Sequence, residues 1–247
     1  MKQILFDENH DEAVSITDQE VSGFQNFAKE LKILGYEAKK TQKPLGEELW
    51  NANVLVIAFP QMEFKPEECD MIKDFVEDGG GLFLVSEWAN IHGVADCLNS
   101  ISRQFGVDFR NTRLTDFDDS YDRKDKIMKG VLGAGKMAYL IKLVDFEKHS
   151  TTQDVKSISY LAGCTLETDK NSALVWTDET CFADHRIDGI RQISEKEGPF
   201  IVAAFNEVGK GRVVCIGDSS PFSNRFIGAE DNRKFGMQII QWLAGDR

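Results

Sequence analysis

Proline is scarce in this chain of 247 residues, five in all, and no Pro/Ser-rich stretch interrupts it. No linker is therefore marked, and one α/β domain over residues 1–247 is expected. Cysteine is equally sparse. Cys69, Cys97, Cys164, Cys181 and Cys215 are odd in number, widely spaced and free of any C-x-x-C pair. That argues against zinc ribbons, redox pairs and disulfide frameworks, and leaves reduced, mostly buried thiols as the expectation. Long apolar runs are missing as well: no stretch approaches the ~18 residues of a membrane span. The first residues reach acid at Asp7 after three apolar positions, too few for a signal peptide. A cytoplasmic protein without membrane insertion is expected.

Positive charge is the last shortage. Lysine and arginine number 29 against 41 acids, a net charge of −12. Non-specific attraction to nucleic acid or to anionic membranes is disfavoured on that ground. The pairs Lys39-Lys40 and Arg123-Lys124 read as solvated surface. No repeat or low-complexity tract is visible.

What is present alternates between buried strands and amphipathic helices. Gln3 to Phe6 reads as a strand. A helix is expected from Asp18, an N-cap type, with Val21, Phe24, Phe27, Leu31 and Leu34 at helical spacing and Gly35 as the stop. A short strand near Tyr36–Lys40 and a short helix around residues 47–52 follow. The unbroken runs Val54–Ala58 and Leu82–Val85 are typical of parallel strands covered on both faces. Between them, Pro66 opens a helix carrying Met71, Ile72, Phe75 and Val76, and Gly79-Gly80-Gly81 ends it. Val94 to Phe105 reads as helix. At the far end, Phe200–Phe205 and Arg212–Ile216 form a hairpin through Gly209-Lys210-Gly211, followed by a helix over residues 231–243. This order predicts a doubly wound, mostly parallel, flavodoxin-like sheet flanked by helices. Residues 107–197 are less regular, with short strands at Lys142–Phe146 and Ala173–Trp176.

Ligands in such sheets bind beyond the carboxyl ends of the strands. Three strand ends are densely polar. Asp7, Glu8 and His10 follow the first; Ser86, Glu87 and Trp88 follow Val85; Asp218, Ser219, Ser220 and Asn224 follow Ile216. These ten are the candidate ligand-binding residues. Capping and loop bracing compete for the serines. Asp7, Glu8, Glu87 and Asp218 carry the oxygen chemistry of a hard-cation site, but their spacing fits no fixed ligand pattern. No metal or cofactor is expected. His10 or His92 beside Glu87 would make an acid–base pair.

The opening residues 4–10, the Val54–Pro60 strand, the Gly79-Gly80-Gly81 strand with Ser86-Glu87-Trp88, the Ile216–Asn224 loop, Asp231-Asn232 and the Trp242-Leu243 helix together resemble a known family. They are similar to class I glutamine-amidotransferase-like domains of the GIFT type, whose members include the amino-terminal domain of an intraflagellar transport subunit and domains attached to gliding-motility and ABC-transport proteins. The resemblance spans residues 1–106 and 198–247. A true member of the amidotransferase class sets a cysteine on a tight turn after a central strand, activated by the following helix and by a late His-x-Glu pair. Here Leu84-Val85-Ser86-Glu87-Trp88 has no cysteine, and Asp218-Ser219-Ser220-Pro221 has no histidine. Ser86 is a poor substitute nucleophile, because Leu84 and Trp88 stand where small residues are needed.

The leading expectation is therefore a non-catalytic module that binds a small polar ligand or a protein partner at its strand ends. One alternative is a hydrolase or lyase using Glu87 with a nearby histidine. Another is a structural assembly subunit presenting an apolar patch from Tyr121, Met128, Met137, Tyr139, Trp176 and Phe182. A lid over the cleft would draw on Asp184, His185 and Arg186. Oligomeric state is not legible.

Overall fold

The computed structural model describes residues 1–116, 139–185 and 197–247. Its strands, in chain order, are β1 (Gln3–Asp7), β2 (Glu37–Thr41), β3 (Val54–Ala58), β4 (Gly81–Val85), β5 (Asp108–Phe109), β6 (Arg113–Thr115), β7 (Leu140–Leu143), β8 (Asp145–Phe146), β9 (Ile158–Leu161), β10 (Leu166–Glu167), β11 (Ala173–Trp176), β12 (Phe182–Asp184), β13 (Ile201–Val208) and β14 (Gly211–Ile216). The α-helices are α1 (Gln25–Ile33), α2 (Glu47–Trp50), α3 (Pro66–Glu77), α4 (Val94–Ser102) and α5 (Asn232–Leu243).

The main sheet runs β2-β1-β3-β4-β14-β13-β10-β5. Its first five strands are mutually parallel, whereas β13, β10 and β5 continue it with antiparallel pairings. The fold is thus mixed α/β, with the expected parallel half and a longer antiparallel flank.

Alternation along each strand divides the core into two layers, because successive side chains point to opposite faces. Ile4, Phe6, Val54, Val56, Phe83 and Val85 join α1 and α5 on one face. Leu5, Leu55, Ile57, Leu82 and Leu84 join α3 and α4 on the other. Covering both faces is what makes β3 and β4 apolar throughout. Phe222 locks the first layer, its ring centroid 5.3 Å from Phe83 and 5.4 Å from Phe27. No helix among the described residues is long and apolar enough to cross a membrane.

The first helix starts later than the spacing predicts. Asp18 accepts the backbone N–H of Glu20 at 2.8 Å, forming a local turn instead of capping a helix. Gly23 sits so close to this turn that a Cβ would lie 2.4 Å from Asp18 O. Only from Gln25 does the backbone become helical, so Val21 is left 61% exposed. The 209–210 hairpin turn forms as expected.

Candidate functional site

Parallel pairing places the ends of β1, β3, β4 and β14 along one edge of the sheet. The polar residues there separate into two clusters, and β3 stands between them. Phe59, the residue that follows it, adopts a left-handed φ of 57°, rare for a bulky side chain. The turn is held from both sides: Phe59 N–H donates to Val85 O at 2.9 Å, and Ala13 N–H donates to Phe59 O at 3.0 Å.

The first cluster follows β1. Asp7 Oδ2 lies 2.6 Å from His10 Nδ1, and Glu68 Oε2, carried in the first turn of α3, lies 3.4 Å from His10 Nε2. Phe64 stacks on the imidazole with ring centroids 3.8 Å apart. Glu12 accepts the His10 backbone N–H at 2.9 Å through Oε2, and its Oε1 is buried without a hydrogen-bond donor. Burial, then the Asp7 charge, push the Glu12 carboxyl up to about 9. The His10 imidazole is raised even though burial, its largest single influence, lowers it; hydrogen bonding and charge from Asp7, then Glu68, outweigh that.

The second cluster joins the ends of β4 and β14. Ser219 donates to Glu87 Oε1 through both Oγ–H and N–H, the latter at 3.2 Å. Asp218 Oδ1 accepts Ser220 N–H at 2.9 Å, while Oδ2 accepts Ser220 Oγ–H at 2.5 Å and Leu161 N–H at 2.6 Å. Desolvation raises both carboxyls, to about 8 for Glu87, where the Asp218 charge adds to it, and to about 7 for Asp218. The cluster is roofed by residues 158–165. Tyr160 is fully buried and donates to Cys164 O at 2.7 Å, and Cys164 N–H donates to Gly217 O at 2.8 Å. A Cβ on Gly217 would sit 2.1 Å from Cys164 O, and one on Gly163 2.1 Å from the Tyr160 ring. The packing leaves no opening at those points.

The ten predicted residues therefore do not form one cleft. Glu87, Asp218, Ser219 and Ser220 meet, but in an enclosed network. Asp7 and His10 meet in the other cluster. Glu8 turns away to Lys40, at 2.8 Å, and to Ser15, at 2.7 Å. Asn224 braces residues 18–26, accepting Asn26 N–H at 2.8 Å and donating to Asp18 O and Glu20 O. Trp88 is half-buried beneath the Arg113 guanidinium, 5.9 Å from its ring centroid.

The acid–base alternative is not assembled. The pairing of Glu87 with a histidine is not formed: His10 is committed to Asp7 and Glu68, and His92 is exposed beside Phe59. Ser86 is fully buried and is absent from the left-handed residues, so it lacks both the access and the backbone strain of a nucleophile elbow. The suggested four-acid cation set also fails to assemble, since Glu8 is bound elsewhere and β3 divides Asp7 from Glu87 and Asp218. Sequence reasoning missed Glu12 and Glu68. Glu12, two residues past His10, carried a local signal; Glu68, from another element, carried none.

All five cysteines are free and buried. Burial pushes the Cys164 thiol up to about 12 and raises Cys181 and Cys215 as well, the opposite of what a catalytic thiol needs. In the 107–197 region, Phe182 is buried, Trp176 half-buried and Tyr139 exposed. Asp184 is buried and takes an ion pair from Arg113 at 2.9 Å, while His185 is exposed. Tyr121, Met128, Met137, Arg186 and the Arg123-Lys124 pair lie outside the described residues. A second group with ligating chemistry, Asp116, Asp178 and Cys181, has its ligand atoms within 4.8 Å of one another.

Residues 17–240 match a family described as "Domain of unknown function (DUF4350)". The human "Intraflagellar transport protein 52 homolog" is 22% identical over 237 residues, covering 90% of this chain and 50% of its own length. The chain thus spans about half of that curated relative. Among solved structures, the "mmIFT52 N-terminal domain" superposes with a TM-score of 0.73 at 17% identity, covering 98% of this chain and 97% of the other. A cytoplasmic protein from Salmonella typhimurium LT2 gives 0.57 at 14% identity, with 98% and 99% covered. A putative ThuA-like protein from Parabacteroides merdae gives 0.55 at 11%, with 100% and 91% covered. At these identities the structural likeness concerns the fold alone.

Proposed function

The chain belongs to the DUF4350 family, and we propose that it serves as a non-catalytic protein-binding module of a larger assembly. The observation that carries this reading is the enclosure of the β4 and β14 ends. Where an enzyme of this architecture would open its site, Ser219 satisfies Glu87, and Ser220 with Leu161 satisfies Asp218, under Tyr160 and Cys164. A nucleophile with both exposure and activation is missing from the described strand ends. The name of the human relative assigns it to intraflagellar transport, and its resemblance to this chain supports an assembly role over a small-ligand role.

The finer architecture belongs to the same proposal. The strand order β2-β1-β3-β4-β14 follows the 2-1-3-4-5 pattern of flavodoxin-like sheets. That supports a glutamine-amidotransferase-like ancestry with its chemistry lost. The family match over residues 17–240 supports a single domain. The five free cysteines support a reducing, cytoplasmic setting, and the net charge of −12 supports a protein rather than a nucleic-acid partner.

The test couples two measurements. Affinity purification from the source cells, followed by size-exclusion chromatography, should recover a partner in stoichiometric amount. The pure chain should be inert toward glutamine, esters and glycosides. Turnover that disappears in Glu87→Gln would overturn the reading, as would a chain recovered only as itself.

A further inference from the structure

We propose that Asp7, His10 and Glu12 bind one divalent transition-metal ion, with Glu68 orienting the imidazole from helix α3. The inference goes beyond the assembly role and does not depend on it. Its basis is the geometry at the end of β1, where one ligand atom from each of the three residues lies within 4.8 Å of the others. The side chains of Asp7 and His10 are 0% and 4% exposed.

The donor set supplies the first argument. Asp7, Glu12 and Glu68 bring three carboxyl groups to one imidazole. Among the described residues, His10 is the sole basic group in an ion pair with any of them. Crowded carboxyl oxygens in a largely buried site are unfavourable unless partnered, and a divalent cation partners several at once. The second argument is an orphaned acceptor. Glu12 Oε2 is fixed by the His10 backbone N–H, while Oε1 is buried without a donor. A metal ion would partner that oxygen.

The ligand chemistry narrows the ion. One nitrogen with carboxylate oxygens favours Zn²⁺, Mn²⁺ or Fe²⁺ over Ca²⁺, which prefers six to eight oxygens. His10 would ligate through Nδ1, the nitrogen now 2.6 Å from Asp7 Oδ2. Its Nε2–H would then donate to Glu68 Oε2, now 3.4 Å away, in the carboxylate–histidine–metal relay that fixes ring orientation at many sites. Phe64, stacked at 3.8 Å, holds the ring plane.

The test uses the full chain, stripped with EDTA and dialysed against Zn²⁺ or Mn²⁺. Metal analysis should find about one ion per chain, and titration calorimetry should show affinity lowered by at least ~10-fold in Glu12→Gln. That variant keeps an acceptor for the His10 N–H and nearly the same side-chain shape, so it should fold. Excess Zn²⁺ or Mn²⁺ should raise the Tm of the parent more than that of Glu12→Gln. Asp178→Asn, which alters the other ligating group, should bind as the parent does. Equal binding by parent and Glu12→Gln, or binding lost in Asp178→Asn instead, would overturn the assignment.

Discussion

Glu87 and Asp218 follow adjacent parallel strands, both are buried, and among the described residues no lysine or arginine pairs with either. Hydrogen bonds hold them instead, from Ser219 to Glu87 and from Ser220 and the Leu161 backbone to Asp218. The pair is held by donors supplied from the loop and roof, and its energetics follow from that.

Folding stability should fall as the medium becomes alkaline. Both carboxyls are raised, from 4.5 to about 8 for Glu87 and from 3.8 to about 7 for Asp218. A raised acid binds protons more tightly in the native chain than in the unfolded one. The contribution is therefore complete below about pH 4 and is lost as pH climbs toward about 8. Glu87→Gln keeps an acceptor for Ser219 and removes the charge, so its decline should be shallower. Urea midpoints at about pH 5 and about pH 8.5 should show the variant gaining on the parent by ~1.4 kcal/mol or more.

Asp218→Ala should destabilise by about 1–3 kcal/mol, because the N–H groups of Leu161 and Ser220 lose a buried acceptor. Equilibrium unfolding at neutral pH measures this. An unchanged midpoint would mean that the contact between β9 and the β14 loop is not stabilising.

Gly217→Ala should cost about 1–3 kcal/mol and loosen the roof, since the new Cβ meets Cys164 O at 2.1 Å. Amide exchange should quicken at Cys164 and Leu161, whose N–H groups bond to Gly217 O and Asp218 Oδ2. Uniform exchange across the chain would contradict local loosening.

Thiol reagents should leave the native chain unmodified and react with all five cysteines after denaturation. Burial keeps the native thiols protonated as well as inaccessible. Fast labelling of Cys164 in the folded state would show that the roof opens.

The parallel half of the sheet was legible because its physics is local. Val54–Ala58 and Leu82–Val85 are apolar at every position, and only strands covered on both faces tolerate that pattern. The helix from Pro66 was legible from its proline and its apolar spacing. Helix α1, on the opposite face, begins later than its spacing predicts, because Asp18 satisfies a turn as readily as a helix cap, and contact with Gly23 decides between them. The antiparallel flank was obscured by strands as short as Asp108–Phe109 and Leu166–Glu167, which two residues cannot announce.

For the site, the sequence determined which chemistry is missing and which residues end each strand. It put Asp7 and His10 after β1, and Glu87 and Asp218 after β4 and β14. Only the tertiary structure decided their company. Strand order sets β3 between the two groups, α3 brings Glu68 to His10, and residues 158–165 cover Glu87 and Asp218. Strand-end identity is fixed by neighbours along the chain. Which strand ends stay open, and which carboxylates share a cavity, depends on contacts between residues tens to hundreds of positions apart, formed when the sheet and its covering loops close.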